Sequence, residues 1–135
     1  MKKNILLVVG VLFAVGIGYG LYAWNKPKRT SEDEKPAAAL AAADLFQQFS
    51  ENETNANTAY LNKVVEVSGK ITLIDTDAAG LEVVYLETAD MLGTVSCTFS
   101  KDKNSNASPG QEIKIKGICD GFLTDVVLKE CSLVQ

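Results

Sequence analysis

The chain has 135 residues, a formal net charge of −4 and no histidine. Without histidine it lacks the usual general base and the commonest metal ligand, and its length allows one domain plus accessory segments. The charge is unevenly divided: residues 1–29 hold five basic side chains and no acids, while residues 30–135 hold eight lysines and all seventeen acids, a net −9. A basic, apolar N-terminal segment is thus set apart from an acidic domain.

Ile5 to Trp24 is a run of twenty residues without a charge, preceded by Lys2 and Lys3 and followed by Lys26, Lys28 and Arg29. At a helical rise of 1.5 Å, about twenty residues cross the roughly 30 Å hydrocarbon core of a bilayer. Tyr19, Tyr22 and Trp24 gather at one end, where amphipathic rings favour the headgroup region. Residues 1–24 are therefore expected to be a transmembrane anchor. The competing reading is a cleaved signal peptide, with Gly18-Tyr19-Gly20 mimicking a cleavage site. The run is longer than the roughly 7–15 residues of such a segment, and bulky Trp24 follows Ala23. No cysteine lies near the run, which excludes a lipoprotein anchor. Basic residues on the two sides nearly balance; the short N-terminal tail favours a cytoplasmic N-terminus and a domain on the extracytoplasmic, periplasmic side. Gly16 and Gly20 have the spacing that brings two membrane helices together, although glycine is common in such helices and a monomer is the simpler expectation.

Residues 25–36, NKPKRTSEDEKP, carry two prolines and mostly polar side chains. They cannot bury a core and read as a flexible tether. Residues 37–62 are expected to be helical. Pro36 suits a first-turn position, AAALAAADLFQQFS is rich in helix formers, and Leu40, Ala43, Phe46 and Phe49 form an apolar stripe. The polar face lacks lysine and arginine, so the stripe is expected to pack on the domain core rather than on a membrane. Ala56, Tyr60 and Leu61 are the expected inward anchors of the polar stretch that follows.

From residue 63 onward the period changes to two. Val65, Val67, Gly69, Ile71 and Leu73 share one face of a first strand. A turn cluster at Asp75 to Gly80 leads to a second strand, 81–88, and a turn near Asp90 to Gly93 leads to a third, 94–99, with Val95, Cys97 and Phe99 inward. After a polar loop, a fourth strand, 112–119, places Ile113, Ile115, Gly117 and Cys119 inward, and a turn at Asp120 to Phe122 precedes a fifth, 124–134. Five short strands are too few for a sandwich, and closure removes exposed edges, so the expected fold is mainly β: a closed five-stranded barrel over residues 63–135. Gly69 and Gly117 read as its corners. No G-x-G-x-x-G or Walker pattern is present to make them phosphate loops.

One sequence of landmarks resembles a known family: Asn52-Glu53 with Ala56, Tyr60 and Lys63; Val67-Ser68-Gly69; Val95-Ser96-Cys97; Gly110-Gln111; Lys116-Gly117-Ile118-Cys119; Gly121-Phe122-Leu123; Asp125-Val126-Val127-Leu128; and Cys131. The chain is similar to tRNA-anti-like OB-fold proteins, small exported or membrane-anchored domains of Bacteroidetes-type bacteria, over roughly residues 44–134. The resemblance implies a five-stranded OB-type barrel. It implies little about function, since one fold hosts many activities.

In an OB-type barrel the first and fourth strands are neighbours, so Lys70, Lys114 and Lys116 would form a small basic patch. With Tyr85 and Phe122 as displayed aromatics, these five are the candidate binding residues. The mean field of a domain at −9 repels phosphates, however, and Glu66 and Glu112 stand beside the lysines. The third and fifth strands are also neighbours in such a barrel, which makes Cys97 and Cys131 the pair to test for a disulfide in an exported domain. A simple hairpin would leave Cys119 and Cys131 out of register. Cys97 and Cys119 fall on inward faces, and Cys131 joins them only if a bulge shifts the last strand. Three cysteines without a C-x-x-C or a histidine imply no metal site, and no cofactor is implied.

Asp75 and Asp77 in one turn, and Asp120 and Asp125 around another, are ordinary turn residues rather than an acid–base pair, so no enzyme is expected. The expected function is a membrane-tethered OB-fold binding or interaction module of the cell envelope, with an envelope protein or other envelope component as partner. The alternative is a nucleic-acid-binding OB-fold domain.

Overall fold

A computed structural model describes residues 1–25, 29–89, 91 and 93–134. The first element, α1 (Lys2–Trp24), is exposed on every side and is long and apolar enough to cross a membrane. Lys26 and Lys28, two of its flanking basic residues, lie outside the described residues.

Five strands make the barrel: β2 (Val64–Thr76), β3 (Glu82–Leu86), β4 (Val95–Phe99), β5 (Glu112–Phe122) and β6 (Val126–Leu133). They run β2-β3-β4-β6-β5 around the sheet, and β5 returns to pair with β2. Every pairing in the ring is antiparallel except that of β4 with β6, which is parallel. This is the closed five-stranded OB-fold. The long β2 makes closure possible: Val64–Lys70 pair with β5, while Ile71–Thr76 pair with β3. Gly69 sits at that change of partner, and Gly117 sits where the β5–β6 register shifts between Lys116 and Ile118. Both glycines also allow close approach. A Cβ on Gly69 would lie 3.2 Å from the Ala42 Cβ, and one on Gly117 would lie 2.5 Å from the Cys131 Sγ.

The helical start expected at Ala37 is corrected by the structure. Ala38–Ala41 form a short strand, β1, parallel to β2 at Val65–Ser68, and α2 (Ala42–Glu51) begins only afterwards. The reason is backbone satisfaction. β3 pairs with β2 only from Ile71 onward, so the first half of that edge would otherwise be unpaired, and β1 covers it. Alanine's helix propensity, worth tenths of a kcal/mol per residue, gives way to those bonds. Of the expected stripe, Phe46 and Phe49 are buried, Ala43 is half-buried, and Leu40 stands on β1. α2 touches β2, β4 and β6. A helix lying on the barrel wall would meet two adjacent strands, so α2 instead closes one mouth and sends Ala42, Leu45, Phe46 and Phe49 into the core. Next comes α3 (Glu53–Tyr60), where the Asn52 Oδ1 accepts from the Asn55 N–H at 3.1 Å as an N-cap. Ala56 is buried and Tyr60 packs on the core, whereas Leu61 is 37% exposed and is not the inward anchor expected.

Three bulges set which residues face inward. The β2–β3 register shifts between Ile71 and Leu73, so Thr72 is extra. Leu73 therefore turns outward, 52% exposed, against the unbroken alternation expected, and Ile74 packs on the core in its place. In β6 the residue opposite Cys97 is Leu128 and the one opposite Phe99 is Cys131. Glu130, at φ 49, absorbs the extra residue and brings Cys131 inside. Gly121, at φ 120, lies at the third bulge and lets β5 run on through Phe122. The turn therefore falls at Leu123–Asp125, not at Asp120 to Phe122. The turn expected near Asp90 to Gly93 includes Asp90 and Leu92, which lie outside the described residues.

Candidate binding face and the buried thiols

The outward side chains of β3 and β4 define a face. Across it Leu73 pairs with Tyr85, Tyr85 with Ser96, and Ser96 with Val127, a row spanning β2, β3, β4 and β6. The next row of partners, Asp75, Val83 and Thr98, is interrupted by Val83, which is buried. Neither β3 nor β4 contains a lysine or arginine. Val127 also borders a cleft of about 360 Å³ between α3 and the β5–β6 turn, where Leu61, Phe122 and the 85%-exposed Leu123 meet the carboxylates of Glu53 and Asp120. Asn57 lines the same cleft, and its Oδ1 is buried without a partner. The Thr94 N–H donates to the Asp125 Oδ1 at 2.9 Å and ties the start of β4 to that turn.

The five candidate residues separate into three places. Lys70, Lys114 and Lys116 do come together on the outer β2–β5 seam, opposite Glu112, Ser68 and Glu66 respectively. Directly opposed unlike charges at Lys70–Glu112 and Lys116–Glu66 support strand pairing and offset part of the local positive charge. The Lys116 Nζ also donates to the Glu32 carbonyl at 3.1 Å. Tyr85 stands apart on β3. Phe122 is partly buried: one side stacks on Phe49 at 5.9 Å and meets Phe46 edge-on at 5.7 Å, and it also lines the cleft. Sequence reasoning missed Leu73, Val127 and Leu123. Leu73 is hidden by the Thr72 bulge, Val127 lies within the expected last strand, and Leu123 falls between the expected turn and that strand.

From Arg29 onward the chain is held on the barrel. The Ser31 hydroxyl is fully buried and shares its proton between the Lys116 carbonyl at 2.8 Å and the Glu130 carbonyl at 2.6 Å, with the Ser132 Oγ at 3.2 Å. The Arg29 guanidinium donates to both Glu34 carboxylate oxygens and to the Asn62 carbonyl. That hydrogen bond holds the Glu34 carboxyl below its ordinary range and raises Arg29.

Cys97, Cys119 and Cys131 are free thiols in the core, each 0% exposed. Burial, and next the contact with Cys97, pushes the Cys131 thiol well up, and burial raises Cys119. Such thiols stay protonated and unreactive at neutral pH. Among the described residues no group of three or more His, Cys, Asp or Glu is placed to hold a metal ion. The four aspartates considered for acid–base work are occupied locally: Asp75 and Asp77 accept backbone N–H groups of their own turn, Asp120 pairs with Lys129, and Asp125 holds Thr94.

No curated protein matches the chain. Among solved structures it is similar to a "putative nucleic acid-binding lipoprotein" from Klebsiella pneumoniae, with a TM-score of 0.60 and 22% identity over 71% of this chain and 91% of that one. At this identity the likeness is one of fold. The family model described as tRNA_anti-like matches residues 1–133, so the chain belongs to the tRNA_anti-like family of OB-fold proteins.

Proposed function

We propose that this chain is a membrane-tethered OB-fold binding module of the cell envelope, that it is not an enzyme, and that its partner is an envelope protein segment. The observation that carries this reading is the composition of the β3–β4 face. Its row Leu73–Tyr85–Ser96–Val127 contains no cation and runs into a cleft rimmed by Glu53 and by Asp120, the latter already paired with Lys129. Nucleic-acid binders draw much of their affinity from lysine and arginine against phosphate, and this neutral face offers phosphate no cation. A neutral peptide, or one with a basic residue opposite Glu53, finds apolar anchors to bury there. The charge-free run Ile5–Trp24 of α1 and its terminal Tyr19, Tyr22 and Trp24 support a single membrane span, with the barrel on the extracytoplasmic side.

The test is photo-crosslinking in intact cells from a reactive residue placed at Leu73, at Tyr85 or at Lys114. Protein adducts from the first two positions and none from the third are expected; adducts only from Lys114 overturn the reading. The second reading, a nucleic-acid-binding domain, is favoured by the name of the Klebsiella relative. Titration of the full chain in nanodiscs with single-stranded DNA and RNA at low salt separates the two: salt-sensitive micromolar binding supports nucleic acid, and silence retires it.

A further inference from the structure

We propose that residues 29–41 act as a docked strap that holds the barrel against the bilayer in one orientation, with the β5–β6 seam toward the lipid and the β3–β4 face toward the aqueous side. The proposal rests on the reading of α1 as a membrane span.

The chain is bound to the barrel from Arg29 onward. Arg29 reaches the Asn62 carbonyl at 2.6 Å. Ser31 is buried between β5 and β6. Glu32 accepts from the Lys103 Nζ at 2.6 Å through its carboxylate and from Lys116 through its carbonyl. The Ala37 N–H donates to the Val64 carbonyl at 2.7 Å, and β1 then pairs with β2. A slack tether would leave Ser31 in water. Here a serine hydroxyl with 0% exposure takes three polar partners on two strands, and buried polar groups hold position because leaving one unpaired is costly.

Only four residues, Asn25 to Lys28, separate Trp24 from Arg29. Fully extended, the five steps between those two Cα atoms reach about 18 Å. With Trp24 at the interface, the strap cannot leave the neighbourhood of the headgroups. The part of the strap nearest the membrane, at Ser31 and Glu32, lies on the β6–β5 seam, and counting round the five-stranded ring β2-β3-β4-β6-β5 puts β3 across the barrel from that point. The Leu73–Tyr85 end of the binding face is therefore turned away from the lipid. Its partner is a protein segment presented from the aqueous side, not a lipid headgroup.

The test uses the full chain in vesicles containing acceptor-labelled headgroups. A donor is placed by Lys129→Cys on β6 or by Thr72→Cys on β2; the three native thiols are buried, and both chosen positions are exposed. Energy transfer from position 129 is expected to exceed that from position 72. Inserting twenty Gly/Ser residues between Asn25 and Arg29, which leaves the barrel untouched, adds a reach of about 25 Å and should lower both signals and remove their difference. Ser31→Glu, which forces a charge into the seam, should lower transfer from position 129 alone. Equal transfer from both positions in the parent chain overturns the strap, as does a difference that survives the insertion. A chain that fails to float with vesicles removes the membrane span itself and this proposal with it, an outcome read separately from the transfer.

Discussion

The Cys131 thiol fills the space that a side chain on Gly117 would need: a Cβ built there lies 2.5 Å from Sγ and 3.2 Å from the Leu128 Cβ. Strand β5 therefore accepts only hydrogen at this point, and the bulge in β6 that turns Cys131 inward is what imposes the restriction. Gly117→Ala should cost about 1–3 kcal/mol through overpacking. Cys131→Ala removes the closest atom but leaves Leu128, so the double variant should recover part of the loss. A urea-unfolding cycle should give a coupling of about 0.5 kcal/mol or more. Additive single effects would show that the thiol and the glycine do not share this space.

Cys97 and Cys131 are the two core thiols in contact, on neighbouring strands β4 and β6. In an exported barrel the expected product is a Cys97–Cys131 disulfide with Cys119 left free. Closing so long a loop would stabilise the fold by about 3–4 kcal/mol in the chain-entropy account. The check is the mass of protein taken from the envelope without reductant, followed by peptide mapping. A link involving Cys119, or three free thiols in envelope-derived protein, would count against the pair. Because burial pushes the Cys131 and Cys119 thiols up, alkylation of reduced, folded protein at neutral pH should leave them unmodified until the barrel opens.

The barrel was legible in the sequence because two-residue periodicity is a local signal. Val65 and Val67, then Val95, Cys97 and Phe99, alternate as written and are buried. Closure was legible from the need to remove edges. What escaped was set by contacts distant in sequence. Ala38–Ala41 look helical until β2 is known to need a partner along Val65–Ser68. Leu73 looks like core until Thr72 is seen to be an extra residue in β2. Phe122 looks like a fully displayed ring until α2 brings Phe46 and Phe49 against one side of it, leaving it at the edge of the cleft. Of the candidate site, the lysine seam was readable from strand neighbours, but the neutral β3–β4 row was not, because two of its members depend on where the chain bulges or bends. Ser31 carries no signal at all in a polar stretch; only the seam between β5 and β6 reveals it.

The Arg29–Glu34 fork makes the strap sensitive to acid and salt. Glu34 is depressed below its ordinary value of 4.5, first by the hydrogen bond from Arg29. A depressed carboxyl stabilises the folded arrangement above its unfolded value and loses that contribution as pH falls through the folded value. Strap docking should therefore be undiminished above about pH 5 and should loosen progressively below about pH 4. Both partners are exposed, so the effect is small and screened by salt. Amide protection factors of residues 29–34, taken relative to the intrinsic exchange rate at each pH, should fall at low pH while the core strands stay protected. Protection there that does not change with acid would mean that Ser31 holds the strap without help from the fork.

Ile71 and Leu73 test the bulge directly, because an uninterrupted strand would bury both. The register shift at Thr72 separates them: Ile71 is 1% exposed, and Leu73 is 52% exposed beside Tyr85. Ile71→Ala should cost about 2–5 kcal/mol, as a large-to-small change in a filled core does. Leu73→Ala should change stability by less than about 0.5 kcal/mol. If Leu73 belongs to the binding face, the same substitution should abolish the protein adducts formed from a crosslinker at Tyr85 while the barrel unfolds at an unchanged urea concentration. Equal destabilisation by the two alanines would mean that β2 alternates without a bulge and that the row Leu73–Tyr85–Ser96–Val127 does not face outward.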